Sequence, residues 1–79
     1  MIKPVSVKPL DDYQLLIEFD TGEKKIFDVK PYLNMTFYAK LKDFEVFKQV
    51  FVNGITIEWS NGVDISPHEL YEDSYLQGS

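Results

Sequence analysis

The stretch that decides the fold is residues 50–67, VFVNGITIEWSNGVDISP, where apolar and polar residues alternate around two Asn-Gly pairs. Alternation with a period of two predicts half-buried strands, and Asn-Gly is the strongest short signal for a hairpin turn. Asn53-Gly54 and Asn61-Gly62 therefore predict a three-stranded antiparallel meander. Its strands are expected at residues 50–52, 55–59 and 63–65.

The residues that follow the meander predict a C-terminal helix. Ser66 is the expected N-cap, Pro67 occupies the first helical position, and Glu69 stands where it would close a capping box. The predicted buried stripe of this helix consists of Leu70, Tyr71 and Tyr75. Its predicted wet face carries Glu69, Glu72 and Asp73.

Upstream of the meander, residues 13–29 predict an antiparallel hairpin that turns at Asp20–Glu23, with Gly22 supplying a positive φ. A two-residue loop would pair Glu18 with Lys25, whereas a type I turn with a bulge would pair Glu18 with Lys24. Both registers place opposite charges across from each other, so both stay open. Residues 5–7, between two prolines, predict a short edge strand.

The central segment has helical spacing of Phe37, Leu41, Phe44 and Phe47. It predicts two short helices at about residues 37–42 and 44–48, or one kinked helix, with Thr36 and Asp43 as the N-caps. The expected fold class is thus α+β: one small domain over residues 1–79, with a hairpin, a meander, short central helices and a C-terminal helix. We expect an ordered core of about residues 3–76 and a tail at residues 77–79. Gly78-Ser79 fits equally well a native C-terminal end and a remnant added to the protein.

Composition excludes several function classes. The 79 residues contain no Cys, which removes disulfides and thiolate metal sites and favours the cytoplasm for so small a domain. The net charge of −5 lies entirely in residues 49–79, and the chain has eight Lys but no Arg. Direct nucleic-acid binding needs the opposite charge, and no apolar run is long enough to span a membrane.

The reactive residue types do not form a recognisable catalytic pattern. A catalytic triad is one interpretation of Asp64, Ser66 and His68. However, the predicted cap position of Ser66 would engage its hydroxyl in a backbone hydrogen bond. The sequence also contains no nucleophile elbow. His68 is the single histidine, and zinc needs three or four ligands. We therefore predict no enzyme activity, no metal and no cofactor.

Two residue sets remain after these exclusions. The first is predicted to be structural and comprises Trp59, Asn61, Gly62, Asp64, Ser66 and Pro67. In it, the Asp64 carboxylate would accept backbone N–H bonds at the strand-to-helix corner. The second is predicted to be an interaction surface and comprises Phe37, Tyr38, Glu69, Glu72 and Asp73. Adjacent aromatics on a helix cannot both face one core, so one of Phe37 and Tyr38 is expected at the surface.

The order of these motifs resembles a bacterial family catalogued as domain of unknown function 2442. The resemblance rests on FDTGE at 19–23, on IFDV at 26–29 with PYL at 31–33, and on WSNGVDISP at 59–67 followed by Leu70-Tyr71. It covers about residues 5–72, and Ser60 departs from the proline expected after the tryptophan.

The resemblance implies a small α+β domain with two antiparallel sheet units and carries no catalytic residues. It also implies a stand-alone bacterial protein associated with toxin-like or DNA-binding partners. The expected function is a non-enzymatic protein-interaction or regulatory module that binds a protein partner or itself. The alternative is a small-molecule-binding domain with an aromatic-lined pocket.

Overall fold

The computed structural model describes residues 2–77, which form two antiparallel sheets and several short helices. In chain order the strands are β1 (Pro4–Pro9), β2 (Gln14–Phe19), β3 (Lys24–Asp28), β4 (Phe51–Val52), β5 (Ile57–Glu58) and β6 (Tyr75–Leu76). The α-helices are α1 (Phe44–Phe47) and α2 (Pro67–Glu72). Short 3-10 helices span Asp11–Tyr13, Lys30–Tyr32 and Thr36–Lys42. The predicted α+β class is confirmed. Of the tail predicted at residues 77–79, Gly78 and Ser79 lie outside the described residues, whereas the Gln77 N–H donates to the Lys24 carbonyl oxygen at 3.0 Å.

The hairpin of β2 and β3 adopts the second of the two predicted registers. Glu18 pairs with Lys24 and Leu16 with Ile26. The loop closes because the Phe19 N–H donates to the Glu23 carbonyl oxygen at 2.9 Å, while Gly22 takes a φ of +90°. Such a conformation is easy for glycine and costly for residues with a Cβ, which fixes the turn at this position.

The larger sheet has the order β1-β2-β3-β6, so β1 is the predicted edge strand. The opposite edge was not predicted. There, Lys25 pairs with Leu76 and Ile26 with Tyr75. The prediction that Tyr75 extends the buried stripe of the C-terminal helix is wrong, because α2 ends at Glu72 and the chain then returns to the sheet as β6.

The smaller sheet is a reduced form of the predicted meander. Phe51 pairs with Glu58 in β4 and β5, and the third strand is a single bridge between Glu58 and Asp64. The first turn is wider than the expected two-residue loop, because the Asn53 side-chain oxygen accepts the N–H groups of Ile55 and Thr56, both at 2.9 Å. The Asn53 N–H also donates to the Thr56 carbonyl oxygen at 3.0 Å, so side-chain and backbone bonds together close a loop of residues 53–56.

The central segment forms the two predicted short helices, the first as a 3-10 helix over Thr36–Lys42 and the second as α1. The cap prediction for Asp43 is confirmed, since its carboxylate accepts the Glu45 N–H at 3.0 Å. The cap prediction for Thr36 is wrong by one residue. Met35 precedes the 3-10 helix, and no side chain caps it.

The helix start at Ser66-Pro67 is confirmed in position but not in its predicted chemistry. Ser66 is the N-cap residue and Pro67 begins α2, yet the Ser66 hydroxyl makes no capping hydrogen bond. Glu69 does not close a capping box either, because its carboxylate accepts a hydrogen bond from Tyr32 instead. The capping-box prediction is therefore wrong, and Glu69 is used for tertiary contact.

The core lies between the sheets and the helices and is centred on Trp59, which is fully buried. Its indole N–H donates a 2.8 Å hydrogen bond to the Phe47 carbonyl oxygen, which gives the polar end of the ring a partner. The other fully enclosed side chains are Phe19, Phe27, Phe47, Leu15, Ile17, Leu41, Ile57, Ile65, Leu70 and Val29. Within residues 2–77, no helix is both long and apolar enough to cross a membrane.

Candidate interaction surface

One side-chain hydrogen bond joins the segment after β3 to helix α2. The Tyr32 hydroxyl donates to the Glu69 carboxylate at 2.8 Å. Tyr32 ends a 3-10 helix in which Pro31 pre-sets the backbone φ, and Glu69 lies in the first turn of α2. Two segments that are distant in the sequence therefore present one continuous surface.

A row of aromatic rings runs from the core to solvent along this surface. Phe27 is buried and lies 5.4 Å from the Tyr32 ring, which in turn lies 5.2 Å from the Tyr38 ring. Phe37 ends the row, 5.0 Å from Tyr38 in an edge-on arrangement and 59% exposed. Edge-on ring pairs stabilise each other beyond their buried area, so the exposed ring is held by its neighbours.

The expectation that one of Phe37 and Tyr38 is at the surface is confirmed. Phe37 faces solvent, whereas Tyr38 is half-buried and its hydroxyl donates to the Asp64 carbonyl oxygen at 3.3 Å. The Asp64 carboxylate, predicted to accept backbone N–H bonds, is exposed and forms no hydrogen bond with the described residues. It is the Asp64 backbone, not its carboxylate, that fixes this corner.

A depression of about 330 Å³ lies beside the aromatic row. Its apolar lining comes from Phe27, Pro31 and Met35, with Tyr32 beside them. Three carboxylates also line it, those of Asp28, Glu69 and Asp73. We call the set Tyr32, Met35, Phe37, Tyr38, Glu69 and Asp73 the aromatic–acidic surface.

Burial, and after it the neighbouring acidic side chains, raise the pKa values of the two tyrosines of this surface. The pKa of Tyr32 lies well above its ordinary value, first because the residue is partly buried and second because its hydroxyl donates to Glu69. Burial likewise raises the pKa of Tyr38, and the charges of Glu69 and Asp64 add to the effect. Both phenols therefore stay protonated and act as hydrogen-bond donors at neutral pH.

The structure brings together four of the five residues predicted for the interaction surface and separates the fifth. Phe37, Tyr38, Glu69 and Asp73 belong to the aromatic–acidic surface, whereas Glu72 lines a different depression. Met35 and Tyr32 complete the surface and were not in the predicted set. No sequence signal links Tyr32 to Glu69.

The second depression has a volume of about 400 Å³ and is lined by Ile2, Pro67, His68, Tyr71 and Glu72. The Tyr71 hydroxyl donates to the Glu23 carboxylate at 2.6 Å, and the Lys25 ammonium lies 3.8 Å from the centre of the Tyr71 ring. The bond from Tyr71 lowers the pKa of Glu23 and raises that of Tyr71. This polar cluster fixes the ring on the larger sheet.

The residues predicted to be structural occupy the expected corner between β5 and α2. Trp59 is in the core, the Asn61 side-chain oxygen accepts the Val63 N–H at 3.2 Å, and Gly62 takes a φ of +89°. Among residues 2–77, no group of three or more metal-ligating side chains could hold a metal ion.

Comparison with known proteins adds one match. A family model described as a protein of unknown function, DUF2442, matches residues 4–75. No curated protein and no solved structure matches the chain. Because the match covers all the helices and all but the last strand residue of the described chain, the chain belongs to the DUF2442 family.

Proposed function

We propose that the protein is a non-enzymatic interaction module that binds a protein partner through the aromatic–acidic surface. The observation that carries this proposal is the exposure of Met35 and Phe37, 52% and 59%. Met35 lines the carboxylate-lined depression, and Phe37 is joined to it through the rings of Tyr38 and Tyr32. Exposed aromatic and Met side chains with charged residues around them are typical of interface centres and rims.

The rigidity of the surface supports the same function. Phe37 is held by Tyr38, which packs on Tyr32, which in turn is bonded to Glu69. A side chain that is already ordered loses less conformational entropy on binding, so it contributes more to affinity. Solvent-exposed apolar side chains without such support are common and need no function.

The charge distribution favours a basic partner. Residues 49–79 carry the whole net charge of −5 and contain no Lys or Arg. Complementary charge speeds association and selects the partner. Partners of the toxin-like or DNA-binding kind fit this expectation, because proteins that bind nucleic acid present basic surfaces. A regulatory role in the bacterial cytoplasm is part of this proposal.

Affinity capture with two matched variants tests the proposal. Phe37→Ala removes an exposed ring of the surface, and Phe51→Ala removes an exposed ring of β4 that lies outside it. Tagged wild-type protein and both variants would be incubated with lysate of the source organism, and retained proteins quantified by mass spectrometry. We expect a partner retained by wild type and Phe51→Ala and lost with Phe37→Ala. Equal retention by all three contradicts the proposal.

A second candidate function rests on the larger depression. Its 400 Å³ volume lies within the range of small-molecule sites, and its lining includes the Tyr71 ring and the His68 imidazole. A thermal-shift screen of small molecules tests it with wild type and a His68→Ala variant. Ligands that raise the melting temperature of the wild type alone would favour this function over the first.

A further inference from the structure

The depression beside Tyr32 combines an apolar floor with a carboxylate rim, which is the environment that a long basic side chain needs. Phe27, Pro31 and Met35 supply the apolar part. Such a surface can cover the methylene stem of a basic residue while the charged head reaches the rim. The geometry points to a site for one arginine side chain of a partner protein, and this inference rests on the proposed function.

The three carboxylates of the rim differ in whether a lysine of this chain forms an ion pair with them. Asp28 is 3.2 Å from the Lys30 ammonium, which also pairs with Asp12 at 3.0 Å. The remaining ion pair among residues 2–77 is Lys48 with Glu45, so Glu69 and Asp73 have no cation of their own. An incoming cation would therefore find these two carboxylates uncompensated.

The hydrogen-bond pattern at the rim also leaves acceptors available. Tyr32 donates to one oxygen of Glu69, Oε2, and within residues 2–77 no donor reaches Oε1. The Asp73 carboxylate, which is exposed, likewise accepts no hydrogen bond from the described chain. Carboxylate oxygens bound by a guanidinium form short, charge-assisted hydrogen bonds, and two such bonds also fix its orientation.

Arginine fits better than lysine for two reasons. The Tyr32 ring lines the depression, and a planar guanidinium stacks on an aromatic ring more favourably than a strongly hydrated ammonium does. Two separate carboxylates also match the several donors of a guanidinium. Because this chain contains no Arg, a second copy of it cannot supply the side chain, and the occupant belongs to a different protein.

Met35 and Phe37 extend the site beyond the single pocket. Both are exposed, and the Phe37 ring packs on Tyr38, whose ring also packs on Tyr32. An apolar residue next to the arginine in the partner chain would contact them. The inferred ligand is therefore a short segment in which an apolar residue adjoins an arginine.

The test uses four short acetylated and amidated peptides that differ at one position. Each carries a leucine after the variable residue, which is arginine, lysine, citrulline or norleucine. Citrulline keeps the shape of arginine without its charge. Binding to the full chain would be followed by nitrogen–proton correlation spectra. We expect saturable shifts at residues 32–38 and 69–73, with the arginine peptide about tenfold tighter than the citrulline peptide.

Two double variants locate the site. Glu69→Gln with Asp73→Asn removes the uncompensated charges but leaves an amide oxygen to accept the Tyr32 bond. Glu45→Gln with Glu58→Gln makes the same change in net charge at residues that do not line the depression. The first pair is expected to abolish the preference for arginine over citrulline, and the second pair to keep it.

Three results would overturn the arginine site: equal affinity for arginine and citrulline, equal affinity for arginine and lysine, or shifts that map outside residues 32–38 and 69–73. None of these contradicts the proposed function while Phe37→Ala still abolishes capture of the partner. If Phe37→Ala leaves capture unchanged and the arginine peptide still binds, the proposed function fails and the arginine site stands by itself.

Discussion

Tyr32 and Glu69 are 37 residues apart in sequence, and their side chains meet in a 2.8 Å hydrogen bond. This bond closes the aromatic–acidic surface, since Tyr32 continues the ring row to Tyr38 while Glu69 belongs to helix α2. Glu69 would otherwise be free to bond its own helix as a capping residue. The carboxylate is thus used to hold two segments together.

Alkaline pH should destabilise the fold through Tyr32. Its pKa is raised in the folded state by burial and by the bond to Glu69, so the folded protein holds the phenolic proton more tightly than the unfolded chain. The resulting stability is present below pH 10, the ordinary tyrosine value, and is lost as the pH rises above it. Tyr32→Phe should therefore show a shallower fall in the free energy of unfolding above pH 10.

Urea unfolding at a series of alkaline pH values measures this slope. Tyrosinate absorbance, read on the same samples, reports ionisation directly. If wild type and Tyr32→Phe lose stability with the same slope, the tyrosine does not titrate as the structure requires.

The two helix N-caps should respond differently to alanine. Asp43 accepts the Glu45 N–H at 3.0 Å, so Asp43→Ala should cost about 1 kcal/mol of stability. The Ser66 hydroxyl makes no capping bond, so Ser66→Ala should change stability by less than about 0.5 kcal/mol. Chemical denaturation of both variants checks the contrast. A cost for Ser66→Ala as large as that for Asp43→Ala would show that the hydroxyl does cap α2 in solution.

Trp59 should be the most sensitive single position of the core. Trp59→Phe leaves the Phe47 carbonyl oxygen without its 2.8 Å donor and opens a cavity at a fully enclosed site. We expect a loss of roughly 2–4 kcal/mol, a large share of the stability of so small a domain. Unfolding followed by circular dichroism measures it, with Ile55→Ala, which removes an exposed side chain, as the control. A Trp59→Phe variant as stable as the control would contradict this account of the core.

Local signals predicted the elements whose bonds are local. Gly22 marked the hairpin loop and Asp43 marked the start of α1, and both act within a few residues of themselves. The charge pairs of the hairpin did not select a register, because both registers place opposite charges together. The bulged turn sets the register, and only the backbone structure shows that turn.

Two of the errors involve long-range contacts that a single sequence does not reveal. Tyr75 suited a helical stripe, but pairing with Ile26 in the sheet draws it into β6. Asp12 and Tyr13 both adopt left-handed backbone conformations, and Lys30 bonds the Asp12 carbonyl oxygen at 3.0 Å. No sequence pattern near Asp12 predicts that contact, because Lys30 is 18 residues away.

The sequence predicted four residues of the aromatic–acidic surface and missed Tyr32 and Met35. Adjacent aromatics and an acidic C-terminal segment pointed to Phe37, Tyr38, Glu69 and Asp73. Their convergence depends on Tyr32, which reaches Glu69 only after β3 and α2 have packed. Glu72 was grouped with them because it is close in sequence, but it lines the depression of Tyr71 and His68.

Hydrogen exchange of the chain, alone and bound to the partner recovered by capture, tests the central claim most directly. It reports which backbone amides become protected on binding, whatever the identity of the partner. We predict slowed exchange at residues 35–38 and 69–73, with no change at residues 51–55, which lie outside the aromatic–acidic surface. Protection confined to residues 51–55, or absent from 35–38 and 69–73, would contradict the assignment of the aromatic–acidic surface.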